Sequence, residues 1–67
     1  MSTYSTTAAA IARARVLARK RGESMFVVWS GDAYAYAVAG EADLDTWWLG
    51  ATVFGEVMSD GTYLQSG

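Results

Sequence analysis

The fifteen residues from Thr7 to Arg21 read Thr-Ala-Ala-Ala-Ile-Ala-Arg-Ala-Arg-Val-Leu-Ala-Arg-Lys-Arg, and they limit the possible folds more than any other part of the chain. Ser5, Thr6 and Thr7 can cap the start of a helix with a side-chain oxygen, and Gly22 stands where a helix closes in a left-handed turn. At 100° per residue Ala10, Ile11, Ala14, Leu17 and Ala18 fall on one stripe, with Arg15 and Arg19 on one flank and Arg13 and Lys20 on the other. A stripe made mostly of alanine buries little apolar area by itself. Such a helix has to lie close against another layer, and the remaining residues point to a sheet.

Met25–Ser30 and residues 33–38 are rich in β-branched and aromatic residues, with only Gly31 and Asp32 between them. That spacing predicts a two-residue hairpin with glycine first, in a II′-like turn. Pairing Ser30 with Ala33 then sets Trp29 opposite Tyr34, Val27 opposite Tyr36 and Met25 opposite Val38. Phe26, Val28, Ala35 and Ala37 are left on the other face. The expectation is that the alanine stripe covers this smaller face and leaves the Trp and Tyr side chains to a second layer or to a partner.

Residues 40–50 place acids before Leu44, Trp47 and Trp48, which stand at i, i+3 and i+4, and end in Gly50; they read as a short second helix or helical turn. Residues 51–58 read as a strand with Gly55 as a bulge, Asp60-Gly61 as a type I′ turn, and residues 62–65 as a short closing strand. The fold class is therefore α+β, a single domain over residues 1–67. Its N-terminal helix packs on a four-stranded, mainly antiparallel sheet, with a short second helix, in the order αββαββ. A chain of 67 residues buries only about 60% of its unfolded surface, so each large apolar residue is read first as core.

The residue types that are missing exclude most catalysis. The chain has no cysteine and no histidine. That removes disulfides, thiolate metal sites and thiol nucleophiles, and also the usual general base and the commonest metal ligand. Glu41, Asp43 and Asp45 alternate as the first ligands of a calcium loop do. The pattern then lacks its glycine and its closing glutamate, since Thr46 and Thr52 occupy those places. No catalytic residue, metal site or cofactor is expected. The N-terminus lacks a signal-peptide pattern, and no apolar run reaches the about 18 residues that span a bilayer, so a cytoplasmic protein is expected.

Charge is the other strong feature. All five cations lie between Arg13 and Arg21 and all seven acids lie between Glu23 and Asp60, so a net charge of −2 conceals a polarised chain. Arg13, Arg15, Arg19 and Lys20 could follow nucleic-acid phosphates, but seven carboxylates in the same small domain oppose that use. Acids at turns and helix starts usually serve solubility; combined with three Trp and four Tyr they suggest a contact surface for another protein. The candidate contact residues are Asp32, Glu41, Asp43, Asp45, Trp47, Trp48, Tyr34 and Tyr36.

The Ala-Arg-rich first helix, the aromatic hairpin and the segment Glu41-Ala42-Asp43-Leu44-Asp45-Thr46-Trp47-Trp48, in a short acidic chain without cysteine or histidine, resemble small phage-encoded inhibitors of the anti-CRISPR type. The resemblance is one of size, charge and organisation. It implies a non-enzymatic protein acting in a bacterial host cell, which occludes a DNA-binding or subunit surface of a CRISPR surveillance complex by presenting acids in place of DNA phosphates. Two alternatives remain beside it: a small nucleic-acid-binding regulator using the basic helix, and a structural subunit that forms a homodimer rather than remaining a monomer.

Overall fold

The computed structural model describes residues 3–31, 34–44 and 51–65. Its elements run α1 (Thr7–Arg21), β1 (Met25–Ser30), β2 (Ala35–Gly40), α2 (Glu41–Leu44), β3 (Val53–Val57) and β4 (Tyr63–Gln65). The strands form one sheet in the order β2-β1-β3-β4, with every neighbouring pair antiparallel. This is the expected α+β arrangement of a long helix, a four-stranded sheet and a short second helix.

Helix α1 forms where its sequence places it. Thr6 is the N-cap, and its Oγ1 accepts from the Ala9 N–H at 3.2 Å. Gly22 adopts φ 66° and closes the other end, where its N–H and that of Glu23 both donate to the Ala18 carbonyl. A residue with a Cβ resists this left-handed conformation, so glycine makes the stop sharp. Arg19, Lys20 and Arg21 lie in the last turn, where positive charge complements the exposed carbonyl ends.

Ala10, Ala14 and Ala18 are fully buried, and they meet Met25, Val27 and Val57, with Tyr4, Ile11, Leu17, Tyr36, Val38, Phe54 and Tyr63 packed around them. The helix therefore covers the bulky face of the sheet, not the smaller face expected from the sequence. The reason is volume. Interiors pack at crystal-like density, so a thin helical stripe leaves room that large sheet residues must fill, and small residues set against small ones would leave a void. Burying each of Val27, Val28 and Val57 contributes about 1.5 to 3 kcal/mol.

The first hairpin differs from its expected register by two residues. Ser30 pairs with Ala35, Trp29 with Tyr36, Val27 with Val38 and Met25 with Gly40. The connection is longer than two residues, and Tyr34 leaves the strand. A shift of two keeps every side chain on its expected face, because strand side chains alternate with period two. It also places the Tyr36 ring between Trp29 and Phe54, at centroid distances of 5.1 and 5.2 Å in edge-to-face geometry. Such pairs contribute beyond their area, which favours this register over one that spends Tyr36 opposite Val27. Tyr4 adds an unanticipated bridge at the outer edge of β2, exchanging two 2.8 Å backbone hydrogen bonds with Tyr36.

The expected bulge lies one residue from Gly55. Val27 pairs with Gly55 and Val28 with Val53, which leaves Phe54 as the extra residue and turns its ring onto the helix side. Gly55 serves another purpose: a Cβ built there would lie 2.5 Å from Cε1 and Cζ of Tyr63, whose ring crosses the strand over the glycine. The second hairpin is not type I′. Gly61 N–H donates to the Met58 carbonyl, Gly61 has φ 95°, and neither Ser59 nor Asp60 has positive φ. This matches a turn centred on Ser59-Asp60 followed by a glycine bulge, the usual three-residue hairpin loop.

On the opposite face a smaller cluster of Val28, Ala37 and Ala39 is covered by Phe26, Leu44, Ala51 and Val53. Helix α2 covers Glu41–Leu44 among the described residues, within the segment 40–50 that the sequence marks as a short second helix or helical turn. Residues 45–50 lie outside the described residues. No described helix is long and apolar enough to cross a membrane.

Candidate partner-binding surfaces

The topology gathers most of the charge at one end of the sheet. Met25 begins β1 and pairs with both Gly40, the end of β2, and Val57, the end of β3. Three boundaries thus meet there: the α1–β1 connection carrying Glu23, the start of α2 carrying Glu41 and Asp43, and the turn after β3 carrying Asp60. The last turn of α1, with Arg19, Lys20 and Arg21, leads into β1 at this same end. The polarity along the chain is folded into a pole of mixed sign.

Within that pole the cations divide by flank. Arg15 Nε donates to the Gly61 carbonyl at 3.1 Å, and a Cβ on Gly61 would lie 2.7 Å from Arg19 Nη2. Both arginines therefore lie against the turn between β3 and β4. Asp60 Oδ1 accepts from the Thr62 N–H at 2.9 Å. That backbone hydrogen bond, joined by the Thr62 side chain and the nearby Arg19 charge, holds the Asp60 carboxyl below its ordinary value of 3.8. Arg13 and Lys20, on the other flank, are exposed.

The acids divide similarly. Gly40 N–H donates to Asp43 Oδ2 at 3.4 Å, so Asp43 ties the end of β2 to the first turn of α2. A Cβ on Gly40 would lie 3.6 Å from Glu23 Oε1 and 3.8 Å from Asp43 Oδ2. Glu23, Glu41 and Asp43 are all exposed. Glu23 was not among the candidate contact residues; pairing Met25 with Gly40 is the signal that brings it beside Glu41, and that pairing depends on the true hairpin register. Among the described residues no three acids are arranged to hold a metal ion.

The described aromatic candidates, Tyr34 and Tyr36, are not brought to Glu41 and Asp43. Tyr34 is 83% exposed at φ 50°, at the hairpin end of β2, whereas Glu41 follows the other end. Six strand residues separate them, about 20 Å at the rise of an extended chain. Tyr36 is half-buried in the ring cluster with Trp29 and Phe54. Asp32, Asp45, Trp47 and Trp48 lie outside the described residues.

A second surface, with no counterpart in the sequence reading, lies on the face away from α1. Phe26, Val53, Gly55, Glu56, Leu64 and Gln65 line an open groove of about 220 Å³ beside β4. Leu64 is 51% exposed on its rim. Comparison with known proteins finds no matching family model, no similar curated protein and no similar solved structure.

Proposed function

We propose that this chain is a non-enzymatic binding module that occludes a basic, nucleic-acid-binding surface on another protein, with a bacterial CRISPR-type complex as the partner class implied by the anti-CRISPR resemblance. The observation that supports this reading is the exposed group Glu23, Glu41 and Asp43 around Gly40, carried on a backbone that Asp43 itself pins. Exposed carboxylates grouped at one end of a sheet offer a partner what DNA phosphates offer it, and charge of this kind raises the rate of encounter. Use of the basic helix for nucleic acid is less supported, because Arg15 and Arg19 are drawn to the β3–β4 turn.

The test is capture from a lysate of a bacterium carrying a CRISPR system, with the parent chain and a Glu23→Lys/Glu41→Lys variant as bait. That pair leaves the Gly40–Asp43 bond intact. The parent should retain a CRISPR component that the variant loses, while both melt at similar temperatures. Equal retention by the two baits overturns the reading.

A further inference from the structure

Among the described residues, the edge formed by β4 is open in a way that the edge formed by β2 is not. At β2 the outward backbone groups of Tyr36 are taken by Tyr4, and the Gly40 N–H is taken by Asp43. At β4 the register runs Val57 to Tyr63, Glu56 to Leu64 and Gly55 to Gln65, and the Met58 N–H donates to Thr62. Antiparallel ladders alternate, so Leu64 turns its backbone inward to β3, while Tyr63 and Gln65 turn an N–H and a C=O outward. The strand Tyr63–Gln65 has no lysine, proline or bulge, the devices that usually block an added strand.

The groove lies directly beside this edge. Its volume of about 220 Å³ is below that of a site for a small-molecule ligand, but it suits a single side chain. Phe26, Val53 and Leu64 give it apolar walls, and the carboxylate of Glu56, a half-buried residue between them, has no hydrogen-bond partner among the described residues. A carboxylate partly withdrawn from water in apolar surroundings favours a cation as its occupant.

We propose that β4 and this groove form a strand-addition site for an extended segment of another protein in which basic and β-branched residues alternate. The segment pairs its backbone with Tyr63 and Gln65. Its side chains on the groove side place an ammonium or guanidinium group on Glu56 and an aliphatic stem against Phe26 and Leu64. This site is separate from the acidic group around Gly40, and the two proposals fail independently.

The probe is a blocked octapeptide of alternating lysine and valine, titrated into the full chain labelled with ¹⁵N, with a peptide of alternating glutamate and valine as control. Saturable binding of the lysine peptide should slow exchange of the Tyr63 and Gln65 amides by about tenfold or more, and the glutamate peptide should leave them unchanged. Gln65→Pro removes one outward donor and leaves the β3 ladder untouched. It should weaken binding about threefold to tenfold, the worth of one hydrogen bond. Glu56→Gln should weaken it about fivefold, and Glu23→Lys/Glu41→Lys should leave it unchanged. Protection at Val38 instead of β4, shifts confined to Glu41 and Asp43, or equal binding by Gln65→Pro and the parent would each overturn the proposal.

Discussion

Arg15 Nε donates to the Gly61 carbonyl at 3.1 Å, joining the middle of the first helix to a turn 46 residues later in the chain. Arg19 approaches the same glycine one helical turn further on. A cluster of cations that looks like a free binding face in one dimension is thus partly a clamp, holding the β3–β4 hairpin to α1.

Gly61→Ala should destabilise the domain by about 1 to 2 kcal/mol. Its φ of 95° disfavours any side chain, and the added methyl meets the Arg19 guanidinium. Arg15→Ala should cost less, about 0.5 to 1 kcal/mol, because the hydrogen bond is exposed. Urea denaturation of the two variants gives the comparison, and a larger loss for Arg15→Ala contradicts it.

Gly55→Ala should be among the more damaging single-methyl changes in the sheet, by about 1 to 3 kcal/mol, because the new Cβ enters the Tyr63 ring. Tyr63 is held by the Val57 pairing and by a hydroxyl that donates to the Phe54 carbonyl at 3.4 Å, so it has little freedom to withdraw. In a Tyr63→Ala background the same substitution should cost far less. A double-mutant cycle with zero coupling energy would count against the contact.

Stability should fall with acid through the titration of Asp60. Its folded-state carboxyl titrates below 3.8, chiefly because the Thr62 N–H bonds its charged form. The contribution is therefore present above the unfolded value and is lost as pH drops through the lower folded value. Urea midpoints between pH 2 and pH 6 should show a shallower acid decline in Asp60→Asn than in the parent. Superimposable profiles would exclude a role for this carboxylate.

Tyr34→Asn should leave the fold intact and raise its stability by up to about 1 kcal/mol. Tyr34 is the non-glycine residue at positive φ among those described, and asparagine tolerates that region better. Since Tyr34 is largely exposed, little packing is lost. Tyr36→Asn, two residues on, should instead cost several kcal/mol, because that ring joins Trp29 to Phe54. Thermal melts of the pair separate the loop tyrosine from the core tyrosine.

Much of the local structure was legible from residue types. Thr6, the alanine stripe and Gly22 define α1 to the residue, since capping and helical period are short-range effects. The strand segments and their alternation were legible for the same reason. The hairpin register was not. Gly31-Asp32 favours a tight turn locally, and only Phe54, brought in from a distant strand by its bulge, makes Tyr36 the better neighbour for Trp29.

The same limit applies to the candidate surfaces. Sequence alone determined that no histidine or cysteine chemistry is possible, that one amphipathic helix has to cover a sheet, and that positive charge precedes negative. Tertiary structure decided which sheet face the helix covers, that both signs of charge meet at the Met25 end, and that Tyr34 and Glu41 lie at opposite ends of one strand. It also decided that Phe26, Val53, Glu56 and Leu64 share a groove. Helical and strand periods follow from backbone geometry within a few residues. Which face meets which layer depends instead on matched volumes and strand order, and these are settled only when segments far apart in the chain pack together.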